Sequence, residues 1–218
     1  MDYSNARDYR DISKVLKTGT TTVGLVSTEG VVIGADMRAT MDTFIANSEV
    51  VKVYKISDIL GITTAGMVGD LEYLVKILRM QDDFYRMDEG RPMSPKSATS
   101  LLSLILQENK MFPYMAQLII GGLNKGEPEI FSIDPFGGYT KESKFTATGS
   151  GTLSALGYIE SIYAPSMGNL DAVRHAAKAI QIAMRRDSAT GDGTRIVSIT
   201  KKGGYKEYTK EELDKIVK

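Results

Sequence analysis

Thr20-Thr21-Thr22-Val23-Gly24-Leu25-Val26-Ser27, then Thr28-Glu29-Gly30, then Val31-Val32-Ile33-Gly34-Ala35-Asp36, is the stretch from which the rest of the chain can be ordered. Two runs rich in β-branched residues flank a short turn that carries glycine, the pattern of a β-hairpin. Asp36 closes an almost wholly apolar strand, where a carboxylate needs a partner or water. Immediately upstream, Lys17-Thr18-Gly19 ends a polar leader, so Gly19 stands directly before a run of threonines. Taken alone, that run is simply a strand start, because threonine fits a pleated, half-buried surface.

Working outward, residues 38–48 read as irregular. Residues 49–56 alternate, with Val51 and Val53 on one face and Lys52 and Tyr54 on the other. Leu60-Gly61-Ile62-Thr63-Thr64-Ala65 reads as a buried strand that breaks at Gly66. A helix is expected from about Asp70, with Leu71, Leu74, Val75, Leu78 and Tyr85 on one stripe and Gly90 and Pro92 ending it. Ser94-Pro95 opens a second helix, as N-cap and first-turn proline, and Pro113 stops it. Residues 114–122 and 129–134 are strands joined by Asn124-Lys125-Gly126, and Gly137-Gly138 leads into one more strand ending at Ala147. Two helices follow, one through Leu153, Leu156, Ile159 and Ile162 and one from about Leu170 to Arg186. Strands at 195–200 and 205–208 precede Thr209-Lys210-Glu211-Glu212, a capping box for a short last helix.

Strands therefore come as hairpins and helices come in pairs, unlike the strict alternation of a doubly wound fold. The expected class is α+β: a four-layer α/β/β/α sandwich of two packed, mainly antiparallel sheets, each covered by a helix pair. Residues 20–218 are expected to form one domain behind a leader of residues 1–19.

Composition narrows the chemistry. Lys plus Arg number 27 and Asp plus Glu number 27, so net charge is zero and nothing favours a nucleic acid partner. A neutral surface promotes association. The absence of cysteine excludes disulfides, thiolate metal sites and a cysteine nucleophile. His175 is the single histidine, set among small residues on an apparent helix in a surface or packing role. A histidine-based triad is thus without support, a multi-histidine metal site is impossible, and no cofactor is expected. The nucleophile and base must come from Ser, Thr, Lys, a carboxylate or a chain terminus. The charged leader lacks an apolar core and no run is long enough to span a membrane, so the expectation is a cytoplasmic protein.

Cleavage between Gly19 and Thr20 would give Thr20 both a hydroxyl and a free α-amine. With a reference pKa of about 7.7–8.0, that amine can accept the hydroxyl proton directly or through water. Gly19 suits such a cut, because an unhindered residue lets the backbone bend toward the hydroxyl. Lys52 and Asp36 admit two readings, as a solvated strand residue with a turn residue, or as the cation and carboxylate that favour an alkoxide. Gly66 is either a turn device at a strand end or an oxyanion donor through its N–H. Gly149-Ser150-Gly151 before a helix could cradle phosphate, although it lacks the Lys-Ser/Thr ending of a P-loop.

Several stretches stand in the order and near the spacing of proteasome core-particle β subunits. They are Thr20-Thr21-Thr22-Val23-Gly24, Gly34-Ala35-Asp36-Met37-Arg38, Lys52, Thr64-Ala65-Gly66-Met67-Val68-Gly69-Asp70, Thr148-Gly149-Ser150-Gly151 and Arg186-Asp187-Ser188-Ala189-Thr190-Gly191. The chain most resembles the archaeal type, over essentially everything from Thr20 to the last helix. The resemblance implies the N-terminal-nucleophile hydrolase fold and autocatalytic processing at Gly19–Thr20. It implies Thr20 as nucleophile, Lys52 and Asp36 as its supporting pair, and Gly66 N–H as the oxyanion donor. Asp187 and Ser150 would hold the terminal amine and a water. Thr190 stands where the family commonly has Ser, and keeps the hydroxyl. Thr40 and Gly66 would offer backbone hydrogen bonds to an extended substrate. A pocket drawing on Ala39, Val50, Thr64 and Val68 is small to medium and uncharged, which implies cleavage after apolar residues.

The family's β subunits form seven-membered rings, two of them stacked between α-subunit rings, fed with unfolded polypeptide by an ATP-dependent unfoldase. Neither nucleic acid nor membrane partners are implied. Two competing readings remain, a non-catalytic ring subunit of the same fold and another N-terminal-nucleophile amidohydrolase.

Overall fold

A computed structural model of the chain describes residues 19–41 and 44–218. The leader before Gly19 lies outside the described residues. In chain order the strands are β1 (Thr21–Val26), β2 (Gly30–Asp36), β3 (Ala39–Met41), β4 (Phe44–Asn47), β5 (Val53–Ser57) and β6 (Leu60–Gly66). Helices α1 (Val68–Glu89) and α2 (Pro95–Glu108) follow, then β7 (Ala116–Asn124), β8 (Glu127–Ile133), β9 (Tyr139–Glu142) and β10 (Phe145–Gly149). Helices α3 (Thr152–Ile162) and α4 (Asn169–Met184), strands β11 (Thr194–Thr200) and β12 (Gly204–Glu207), and helix α5 (Lys210–Val217) complete the chain.

One five-stranded sheet runs β10-β1-β2-β11-β12 and the other runs β5-β6-β7-β8-β9. Each strand pairing is antiparallel. Between the sheets lies a layer of β-branched side chains, with Val31, Ile33, Val197 and Ile199 from the first sheet meeting Ile119 and Ile130 from the second. Outside the first sheet, Val23, Leu25, Val32 and Ile196 pack against Ala176, Ala179 and Ile180 of α4. Outside the second, Leu60, Ile62, Leu118 and Ile120 pack against Leu74 and Leu78 of α1 and Leu102 and Leu106 of α2. This is the four-layer α/β/β/α sandwich. Each buried Leu or Ile contributes on the order of 1.5–3 kcal/mol. Strand β2, with a neighbour on each side and a packed layer above and below, is buried along its whole length, and Asp36 is its last residue.

Local signals behave as their chemistry requires. Ser94 Oγ accepts the Ser97 N–H at 3.1 Å ahead of α2, and Thr209 and Glu212 form a reciprocal capping box for α5. Elsewhere the structure corrects the reading. The stretch taken as irregular holds the small hairpin β3–β4, and the alternating strand begins only at Val53. Residues expected to form one strand after Gly137-Gly138 form two, β9 at the edge of one sheet and β10 at the edge of the other. Leu153 and Leu170, the first apolar residues of their helices, are 87% and 59% exposed. Among the described residues, no helix is long and apolar enough to cross a membrane.

Candidate active site

Antiparallel pairing of β1 with β2 sets Thr22 opposite Ala35, which brings the start of β1 beside the end of β2. Asp36 there has no solvent exposure, and it is fully used. Its Oδ1 accepts the Thr21 N–H at 2.9 Å and the Lys52 Nζ at 2.8 Å. Its Oδ2 accepts the N–H groups of Arg38 at 3.1 Å and Gly191 at 3.0 Å. Four donors are what a buried carboxylate needs to remain charged. Lys52, 5% exposed, also donates to the Arg38 carbonyl at 2.5 Å. Burial pushes the Lys52 ammonium below the usual lysine range, while the charge of Asp36 opposes that shift. The solvated reading of Lys52 and Asp36 is thereby excluded.

Thr20 is itself buried. Its hydroxyl donates to the Gly19 carbonyl oxygen at 2.6 Å, and its N–H donates to Ser150 Oγ at 3.1 Å. Ser150, exposed at the β10–α3 turn, donates to Asp187 Oδ2 at 2.5 Å. Asp187 Oδ2 also accepts the Thr190 hydroxyl at 2.6 Å, and Asp187 Oδ1 accepts the Ala189 N–H at 3.1 Å. Thr190 lies 2.7 Å from the Thr21 hydroxyl, so its side chain links the carboxylate to β1 and its extra methyl is accommodated in the interior. Because Ser150 is already committed to a carboxylate and to Thr20, residues 149–151 make a poor phosphate cradle.

Gly66 ends β6 at φ 141°, and a Cβ there would lie 1.8 Å from the Met115 carbonyl oxygen, so only glycine fits. It lines a cavity of about 310 Å³ together with Gly149 and Ser150. Thr40 is buried on β3, and its side-chain hydroxyl accepts the Gly19 N–H at 3.1 Å. Backbone bonds hold two of the remaining predicted residues: Thr64 N–H donates to the Lys52 carbonyl at 2.9 Å, and Val50 N–H donates to the Met37 carbonyl, just after Asp36, at 2.9 Å. Ala39 is half-buried on β3, and Val68 is 43% exposed in the first turn of α1.

Sequence reasoning missed several participants. Arg38 makes a two-pronged contact with Asp192, at 2.8 and 3.0 Å, and donates to the Ser188 carbonyl at 2.9 Å. The hydrogen bond from Arg38 holds the Asp192 carboxyl below the usual carboxylate range. Asp192 itself adopts φ 62°, a left-handed conformation that aspartate tolerates. Gln117 of β7 accepts the Gly149 N–H at 3.0 Å, tying the second sheet to the Ser150 turn. An arginine between two predicted site residues was visible as a signal; the glutamine gave none. His175 contacts the Tyr158 hydroxyl at 2.8 Å between α3 and α4, the packing role expected of it.

The paired-sheet sandwich, with a threonine at the head of its first strand, is the architecture of the N-terminal-nucleophile hydrolases. The sequence model of the family described as Proteasome subunit matches residues 16–199. Among relatives, "Proteasome subunit beta" of Archaeoglobus profundus is 46% identical over 204 residues, 94% of this chain and 94% of that one. The protein of the same name from Methanothrix thermoacetophila is 44% identical over 200 residues, 92% and 96% of the two chains. That of Archaeoglobus fulgidus is 42% identical over 206 residues, 94% and 96%. The chain belongs to the proteasome subunit family, a protease family, and is similar to its archaeal β subunits.

Proposed function

We propose that this chain is the catalytic β subunit of a proteasome core particle, a threonine-type endopeptidase that activates itself by cutting Gly19–Thr20. The observation that carries this reading is the placement of Thr20, whose hydroxyl meets the preceding carbonyl while its nitrogen meets Ser150 and Asp187 is bonded behind.

In the precursor, Thr20 Oγ1 adds to the Gly19 carbonyl carbon and its proton passes to a neighbouring base or water. The tetrahedral intermediate collapses with loss of the Thr20 nitrogen, leaving an ester between Gly19 and Oγ1. Water hydrolyses that ester, releasing the Gly19 carboxylate and leaving Thr20 with a free amine and a free hydroxyl. The nitrogen that contacted Ser150 as an amide keeps that partner as an amine, now able to take the Oγ1 proton during attack on a substrate. Lys52, joined through Asp36 to the neighbouring Thr21 N–H, supplies the positive charge that favours the alkoxide. Gly66 N–H stabilises the developing oxyanion, and Thr40 and Gly66 hold the substrate extended.

Ala39, Val50, Thr64 and Val68 carry no charge, which supports cleavage after apolar residues. The assembly is a seven-membered β ring, two such rings stacked between α-subunit rings, receiving unfolded chains from an ATP-dependent unfoldase in the cytoplasm. Intact mass and N-terminal sequence of the assembled particle test the reading. The expected mature chain starts at Thr20, and Thr20→Ala is expected to abolish both processing and peptidase activity; persistence of either refutes the mechanism. A fluorogenic panel is expected to favour apolar residues before the cut, and a preference for charged ones refutes the pocket assignment.

A further inference from the structure

The contacts of Gly19 and Thr20 give the site a direction. Gly19, on the N-terminal side of the bond, donates to Thr40, whereas the nitrogen on its C-terminal side points to Ser150. A substrate's leaving portion therefore lies on the Ser150 side, where the cavity of about 310 Å³ opens. Its walls include Ala65, Gly66, Met115, Gln117, Pro135 and Ser150, none formally charged. Gln117 stands opposite Ala65 in the β6–β7 pairing, and its Oε1 is held by the Gly149 N–H, which leaves the side-chain NH₂ as a donor. Met115 is 40% exposed at the rim, with a flexible apolar chain suited to unlike partners. Past Gln117 a groove of about 400 Å³ continues along Thr146, Ala147 and Thr148 of edge strand β10, where an extended chain could follow.

We propose that this cavity is the subsite for the residue immediately after the cut, that it takes uncharged side chains of medium size, and that Gln117 and Met115 are its specificity-determining residues. The proposal rests on the function proposed above.

Three internally quenched peptides, identical except for Leu, Lys or Glu after the cut, test it on the assembled particle. The wild type is expected to favour Leu over both charged residues. Gln117→Glu keeps an acceptor for Gly149 and adds a negative charge, so the Lys-to-Glu ratio of kcat/KM is expected to rise roughly fivefold. Met115→Lys adds the opposite charge at an exposed position and is expected to lower that ratio by a similar factor. Ratios are insensitive to the fraction of chains processed. If neither variant moves the ratio while Thr20→Ala is inactive, the subsite is wrong and the catalytic reading stands. If Thr20→Ala remains active, the catalytic reading fails and the subsite falls with it.

Discussion

Lys52 Nζ and Asp36 Oδ1 lie 2.8 Å apart with side chains 5% and 0% exposed, a buried ion pair formed between residues from two different sheets' approaches to the site. The pair joins the end of β2 to the segment just before β5. Its members stabilise one another's charge, so each is costly without the other.

Lys52→Met is expected to destabilise the fold by about 3 kcal/mol or more, because Asp36 keeps its backbone donors but loses its counter-charge. Asp36→Asn strands the lysine in the same way. The double variant is expected to be markedly more stable than the sum of the single losses. Chemical denaturation of the four proteins checks this, and simple additivity would show that the two charges are not coupled. Processing is expected to fail in all three variants.

Gly19 owes its identity to Ala189. A Cβ on Gly19 would lie 1.7 Å from the Ala189 Cβ, a separation no pair of non-bonded carbons adopts. Gly19→Ala is expected to slow processing at least tenfold by pushing the carbonyl away from Thr20 Oγ1, since displacements of about 1 Å can cost a hundredfold. Gly19→Ala with Ala189→Gly is expected to recover part of the rate, because the side-chain overlap is removed while the residue 189 Cα still lies 2.8 Å from the new methyl. Mass spectrometry of time points after assembly reads both, and absence of rescue would place the glycine requirement elsewhere.

Gly149 at φ 96° precedes Ser150, and a Cβ there would lie 2.0 Å from the Thr20 carbonyl oxygen. Gly149→Ala is expected to cost about 1–3 kcal/mol of stability through backbone strain alone, and the overlap with the Thr20 carbonyl oxygen adds to that. It is also expected to cut processing far more than that loss explains, because it moves Ser150 off the Thr20 nitrogen. Parallel melting and processing assays separate the two effects.

His175 offers a pH signature. Burial pushes its pKa below the ordinary value of 6.5. Above pH 6.5 it is neutral whether the chain is folded or unfolded. Below that, the unfolded chain binds the proton first, so stability is lost as pH falls from 6.5 through the folded value. His175 meets Tyr158 across the helix pair, with Asp171, Arg174 and Lys178 the charged groups acting on it. His175→Gln is expected to lose less stability than wild type between pH 7.5 and pH 5.5, measured by thermal melts at both. Equal losses would mean that the imidazole does not contribute.

Much of this was legible from residue types. The glycine turn at 28–30, the caps at Ser94 and Thr209, and the helical stripes each encode local geometry, and the two-sheet sandwich follows from their order. Other features were hidden for physical reasons. Hairpin β3–β4 carries Met41, Phe44 and Ile45 exposed, so it shows no alternation of apolar and polar residues. The break between β9 and β10 falls at Ser143-Lys144, without glycine or proline, because the chain changes sheets there instead of turning tightly. Lys52 and Asp36 were readable as a possible pair, but their burial was not, since each alone fits an ordinary surface position. Gln117 gave no signal at all, because its contact with Gly149 joins strands of different sheets.

The position of Asp36 at the end of β2 has a kinetic consequence. β2 is hydrogen-bonded on both edges, to β1 and β11, and buried throughout. Its amides therefore belong to the part of the molecule that exchanges with solvent only when the whole fold opens. Ser150 and Asp187 hang instead from a turn and a helix end, where local opening suffices. The candidate site is thus assembled from one half that is slow to let go and one half that can re-form repeatedly around it.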